Sequence, residues 1–171
     1  IEYSTTTGFA NGTGTNVAAS NLSSGNFSAD LSGLVTGTTY FFHAWATNSA
    51  GTSYGTEGSF TTATPDPQIL VSTLTSFGDV CLTTTAGPNS FSITGTNLTT
   101  ADVTVSALDG FSYSTTSGGT YTSTLTLTQT GGSFSQDVFV KFAPVALQSY
   151  NGSIVVNGGG LTTPVNVAAT G

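Results

Sequence analysis

Tyr40-Phe41-Phe42-His43-Ala44-Trp45-Ala46-Thr47 decides the fold class. Tyr40, Phe42, Ala44 and Ala46 fall on one side of a period-two pattern, and Phe41, His43, Trp45 and Thr47 on the other. Successive side chains point to opposite faces in this way in a β-strand. The period recurs further along. Tyr121, Ser123, Leu125 and Leu127 alternate with Thr122, Thr124, Thr126 and Thr128. Val138, Val140 and Phe142 alternate with Phe139 and Lys141, and Val165, Val167 and Ala169 close the chain. No stretch has a convincing helical period. Short strands separated by Gly, Ser, Asn and Thr clusters read as all-β sandwiches.

Composition sets the surroundings. The 171 residues carry eight acidic side chains and one basic one, Lys141, for a net charge of −7. Such a chain is repelled by nucleic acid and by anionic membrane surfaces. Eleven Phe and six Tyr, with many Val, Leu and Ile, supply enough apolar surface to offset the cost of ordering, so the chain is not read as disordered. Ser and Thr make up about a third of the residues. Hydroxyls in place of Lys and Glu suit the wet face of a sheet and point to a secreted bacterial β-protein. No apolar run is long enough to span a bilayer. Without Met or a signal peptide, the chain reads as an internal piece of a longer precursor or as a processed product.

A boundary is expected at Ala63-Thr64-Pro65-Asp66-Pro67, where two prolines within three residues favour an extended linker. Residues 68–171 suit a complete sandwich, with strands near 68–77, 89–95, 102–107, 111–115, 121–129, 134–142, 150–157 and 163–169. Residues 1–62 are too few for one. Their strands are expected near 1–4, 26–31, 39–47 and 56–62, with a short edge near 16–19. Gly118-Gly119 and Gly131-Gly132 read as hairpin turns, and Gly158-Gly159-Gly160 as a turn between strands.

Leu34-Val35-Thr36-Gly37-Thr38-Thr39-Tyr40 places a Leu six residues before a Tyr, the tyrosine-corner spacing. With Ala44 to Gly55 and Phe60-Thr61-Thr62, this makes residues 1–62 resemble the C-terminal part of a fibronectin type III domain of Bacteroidota surface proteins. The resemblance implies structural roles for Leu34 and Tyr40. It makes Ile1-Glu2-Tyr3-Ser4 the third strand and leaves the first two strands missing. Phe77-Gly78, Phe91 to Leu98, Gly110 to Ser114, Val138 to Phe142 and Ser149-Tyr150-Asn151-Gly152 make residues 68–171 similar to Ig-like repeats of long secreted proteins of the same bacteria, often exported by the type IX system. Together these imply two tandem sandwiches, the first partial, in an architectural or adhesive region of a large exoprotein.

Candidates for chemistry are few. His43, the single histidine, lies on the face expected to point outward and reads as solvated or neighbour-packed. One His and one Cys cannot supply a zinc site. Calcium needs only carboxylates and carbonyls, and Asp66 in the linker with Asp79, Asp102 and Asp109 are the candidate ligands. Cys81 is alone, with no disulfide partner in this chain. Phe41, Trp45 and Phe139 are the aromatics placed outside the core, as contacts to a neighbouring domain, another subunit or sugar. Glycosylation sequons begin at Asn11, Asn21, Asn26, Asn97 and Asn151.

The sequence thus leads us to expect a non-enzymatic, extracellular, structural or adhesive segment: a stalk, an adhesin repeat or a fibre subunit. Its expected partners are neighbouring domains of the same chain, copies of itself, or a strand donor completing residues 1–62. The competing expectation is a carbohydrate-binding accessory module of a secreted hydrolase.

Overall fold

The computed structural model describes residues 1–23 and 25–171, without the side chains of residues 21–23, so the sequon at Asn21 lies outside the described residues. The described residues form strands and connections with no helix, and every strand pair is antiparallel. The all-β expectation therefore holds. The chain divides into two compact units, Ile1–Pro65 and Asp66–Gly171.

The first unit contains β1 (Glu2–Ser4), β2 (Thr15–Asn16), β3 (Ser20–Ser23), β4 (Asn26–Ser28), β5 (Thr39–His43), β6 (Trp45–Asn48), β7 (Gly51–Tyr54) and β8 (Gly58–Thr61). One sheet runs β2-β1-β5-β8, and β3-β4 and β6-β7 form two-stranded sheets. The strand expected over 39–47 is divided at Ala44. The Gly55 amide donates to the Ala44 carbonyl at 2.8 Å. Beyond it the chain leaves β1 and β8 and pairs with β7, Trp45 opposite Tyr54 and Thr47 opposite Thr52. The edge expected near 16–19 is replaced by β2 and β3.

Register assigns the two faces of the four-stranded sheet. Tyr3 lies opposite Phe42, and Tyr40 opposite Phe60. Their rings meet at 5.7 Å (Tyr3–Tyr40), 5.8 Å (Tyr40–Phe60) and 6.2 Å (Phe42–Phe60). Of these four only Tyr40 is buried. The other face carries Glu2 opposite His43, and Ser4 opposite Phe41. The Tyr40 hydroxyl accepts the Val35 amide at 3.0 Å, while Leu34 is half-buried and Val35 exposed.

The second unit contains β9 (Gln68–Val71), β10 (Ala86–Leu98), β11 (Val103–Val105), β12 (Phe111–Ser114), β13 (Leu125–Leu127), β14 (Gly132–Phe142), β15 (Gly152–Gly158) and β16 (Val165–Ala169). Two four-stranded sheets, β12-β14-β10-β9 and β13-β11-β15-β16, contribute alternate residues to one core. Ile69, Phe91, Ile93, Phe111, Tyr113, Val138, Val140 and Phe142 come from the first sheet. Val103, Val105, Leu127, Ile154, Val156, Val167 and Ala169 come from the second.

Two sequence expectations change here. The strand expected over 121–129 is confined to β13, and Thr122 reaches Tyr113 by an isolated bridge. Gly131-Gly132 is not a hairpin turn: β13 and β14 belong to different sheets, so this pair turns a crossover. Positive φ at both glycines allows the turn, but a turn residue does not dictate which sheet the next strand joins. Gly158-Gly159-Gly160 does join the paired strands β15 and β16, all three with positive φ. A Cβ on Gly158 would lie 2.0 Å from the Asp102 carbonyl oxygen, so only glycine fits.

Tyr150 repeats in the second unit what Tyr40 does in the first. Its buried hydroxyl accepts the Val145 and Ala146 amides at 3.0 and 2.9 Å, pinning the chain that enters β15. Tyr150→Phe leaves both donors without that acceptor and is expected to cost about 2 kcal/mol in urea unfolding followed by circular dichroism. An unchanged midpoint would mean that water replaces the phenol at no cost.

Candidate functional site

The polar face of the first sheet is built around Glu2 and His43. Both are buried, Glu2 completely and His43 to 9% exposure. This corrects the expectation that His43 faces outward. Its cover comes from a loop far away in sequence and from the end of β7. The loop between β1 and β2 folds back so that the Phe9 ring lies 4.7 Å from the imidazole, and Tyr54 stands edge-on at 6.4 Å. The loop is held from two sides by carboxylates. Glu2 accepts the Gly12 amide at 2.9 and 3.0 Å on its two oxygens, and the Gly14 amide at 3.3 Å. Glu57 accepts the Gly8 amide at 2.8 Å and the Thr7 hydroxyl at 3.3 Å.

His43 Nδ1 lies 3.2 Å from the Gly55 carbonyl oxygen. That contact needs a proton on Nδ1, which leaves Nε2 as the acceptor in the neutral ring. Nε2 is buried without a hydrogen-bond partner, 3.9 Å from Glu57 Oε2. A histidine working as a general base must reach a nucleophile's proton at about 2.6–3.2 Å or through one water. Among the described residues no hydroxyl or thiol is hydrogen-bonded to His43. The Thr7 hydroxyl is directed at Glu57 instead. The arrangement anchors a loop over a sheet.

At the edge of this face Trp45 is 38% exposed, and its Nε1–H donates to Asn16 Oδ1 at 3.1 Å. Its ring is tilted against Tyr54 at 6.4 Å. Phe41, expected outside with it, is half-buried, between Ser4 and Ser59 in register. Phe139 belongs to β14 of the second unit, where it is half-buried.

Asp66, Asp79, Asp102 and Asp109 are all exposed. Among the described residues no three His, Cys, Asp or Glu side chains come together around a space for a metal ion. Cys81 is an exposed free thiol. It sits on a loop that walls a groove of about 500 Å³ at one end of the second unit, lined by Val80, Leu82, Pro144, Leu147 and Tyr150 among others. Leu147 is 95% exposed there. The one basic side chain, Lys141, lies 4.2 Å over the Tyr121 ring. Burial pushes the Tyr113 phenol up to about 12, a weak contact with the Leu108 backbone offsetting only part of that. It therefore stays protonated at neutral pH and buried in the core.

Sequence reasoning missed the Glu2–His43–Glu57 arrangement and the Tyr150 hydroxyl. The Glu2 anchor left no local signal, because its donors come from a loop. The Tyr150 role did: Val145 precedes it by five residues, as Val35 precedes Tyr40. No family model matches the chain, and no curated protein matches it.

Proposed function

We propose that this chain is a non-catalytic, adhesive and structural segment of a large bacterial cell-surface or secreted protein, and that its first unit is completed by a strand from outside residues 1–65. One observation carries the reading: the two units bury very different cores. The second closes a continuous cluster from Ile69 to Ala169. In the first, Tyr40 is the one buried apolar side chain among the described residues, and Tyr3, Phe42 and Phe60 stay partly open beside it. A unit of about 65 residues is already marginal when it buries the usual share of its surface. An aromatic sheet face left partly in water gains stability when a further strand packs across it as a second layer. It comes from a neighbouring domain of the same chain or from another copy.

The resemblance of residues 1–62 to fibronectin type III domains and of 68–171 to Ig-like repeats supports this reading. So does a hydroxyl-rich, charge-poor composition, and a histidine engaged with a backbone carbonyl rather than a nucleophile.

The test is the intact mass of the undigested protein extracted from its native source, with its loss on proteinase K shaving of whole cells as the separate measure of surface exposure. The expected species is surface-accessible and either much larger than 17.1 kDa or a ladder of 17.1 kDa multiples. A free 17.1 kDa monomer confined inside the cell would overturn the proposal.

A further inference from the structure

We infer that the β6–β7 hairpin of the first unit is a binding platform for a neutral sugar ring, centred on Trp45. The inference rests on the adhesive reading above and gives that reading a ligand class.

A single exposed aromatic on a surface needs no explanation. What distinguishes Trp45 is that its ring is both open and fixed. The hydrogen bond from Nε1 to Asn16 Oδ1 ties the indole to β2, and Tyr54 supports it from the partner strand. Tyr54 is supported in turn by the buried His43 ring. The ordering cost of a large side chain is thus met before any ligand arrives, which is how a preorganised site gains affinity.

The groups beside the ring have the right chemistry. On the same hairpin face, two cross-strand pairs along from Trp45 and Tyr54, the hydroxyls of Thr47 and Thr52 lie 2.7 Å apart. Only one hydrogen joins the two, so the other hydroxyl hydrogen and the spare lone pairs remain to meet a ligand. The Asn16 amide uses its oxygen on the indole and keeps its NH2 group for donation. A pyranose presents an apolar C–H face and a rim of hydroxyls. The C–H face packs on an aromatic ring, and the rim needs donors and acceptors beside it.

Charge narrows the class. Residues 45–54 contain no ionisable group except the Tyr54 phenol, and the chain as a whole is strongly acidic. A uronic or sialic acid would find no cation there and would be repelled at long range. Phe41 and Phe139 take no part.

Trp45 is the only tryptophan, so its emission reads the platform directly. The full chain is titrated with neutral hexasaccharides built from β-1,4-glucose, α-1,4-glucose, β-1,4-xylose and β-1,4-mannose, with polygalacturonate as the anionic comparison. At least one neutral probe is expected to give a saturable blue shift, and polygalacturonate none. In affinity electrophoresis on the matching polysaccharide, Trp45→Ala should abolish retardation. Thr47→Val, which leaves the ring in place, should weaken binding by about fivefold or more. Circular dichroism confirms that each variant is folded.

Silence across the neutral panel overturns the platform. So does retardation of Trp45→Ala or Thr47→Val equal to that of the parent, binding confined to polygalacturonate, or an emission shift that follows protein concentration without sugar. None of these outcomes touches the surface-segment reading, which is decided by intact mass.

Discussion

Phe142→Ala is expected to destabilise the second unit by about 3–5 kcal/mol. Phe142 ends β14, where it is 1% exposed and lies opposite Phe111 in register. Its ring meets those of Phe111 at 4.8 Å, Tyr150 at 5.3 Å and Phe77 at 5.8 Å. Backbone closes the remaining sides. A Cβ on Gly171 would sit 2.5 Å from the Phe142 ring, and one on Gly110 2.9 Å. Surroundings held by two β-ladders and by the Tyr150 hydroxyl cannot collapse into the space a lost ring leaves, so the cavity cost adds to the lost burial. Against a typical total of about 5–15 kcal/mol, that is a large share. Urea unfolding of the full chain separates the units, because Trp45 emission reads only the first and circular dichroism is weighted toward the longer second. The second transition should move to much lower urea while the Trp45 transition stays. Phe142→Leu, which keeps an apolar side chain of similar reach, should cost about half as much. A change below about 1 kcal/mol for the alanine variant would mean that this end of the core is looser than its contacts imply.

What the sequence could and could not reveal follows from the range of each interaction. All eight strands of the second unit were legible, because both of its sheets bury one face and period two is a local property. Strand continuity was not. Alternation runs unbroken through Ala44, yet the chain changes partner there, since pairing depends on Gly55 and Tyr54 rather than on neighbours in the pattern. The direction of a face was legible only where nothing folds over it. His43 belongs to the face opposite Tyr40 and Phe42, as alternation requires, but Phe9 covers it from 34 positions earlier in the chain. The aromatic site shrank for the same reason: Trp45 stays open, whereas Phe41, two strand positions away on that face, is partly covered. Gly131-Gly132 marked a turn correctly but could not say that the next strand crosses to the other sheet.

Glu2→Ala is expected to cost the first unit about 2–4 kcal/mol and to loosen the loop over His43. A carboxylate with no exposed surface is rare without a cation, and Glu2 lies opposite a histidine whose Nδ1 is already engaged with a carbonyl. Backbone amides of Gly12 and Gly14 do the solvating instead. The loop makes this possible by being small where it passes the strand. A Cβ on Gly14 would come within 2.6 Å of the Phe9 ring and 2.9 Å of the Tyr3 carbonyl oxygen, so the amide approaches only because no side chain is there. Alanine at position 2 leaves two donors without an acceptor, at about 1–3 kcal/mol each before water enters. Glutamine keeps one acceptor oxygen but turns an NH2 group toward those donors, so Glu2→Gln should fall between alanine and the parent. Glu57 also braces the loop, but its side chain is 25% exposed and water can replace it, so Glu57→Gln should cost less than either Glu2 variant. Trp45 emission is the readout, because Glu2 pairs with Asn16 and Asn16 holds the indole. The expected ranking of urea midpoints is parent, Glu57→Gln, Glu2→Gln, then Glu2→Ala. If Glu2→Ala unfolds at the parent's midpoint, the Phe9 ring holds the loop and the carboxylate adds nothing to stability.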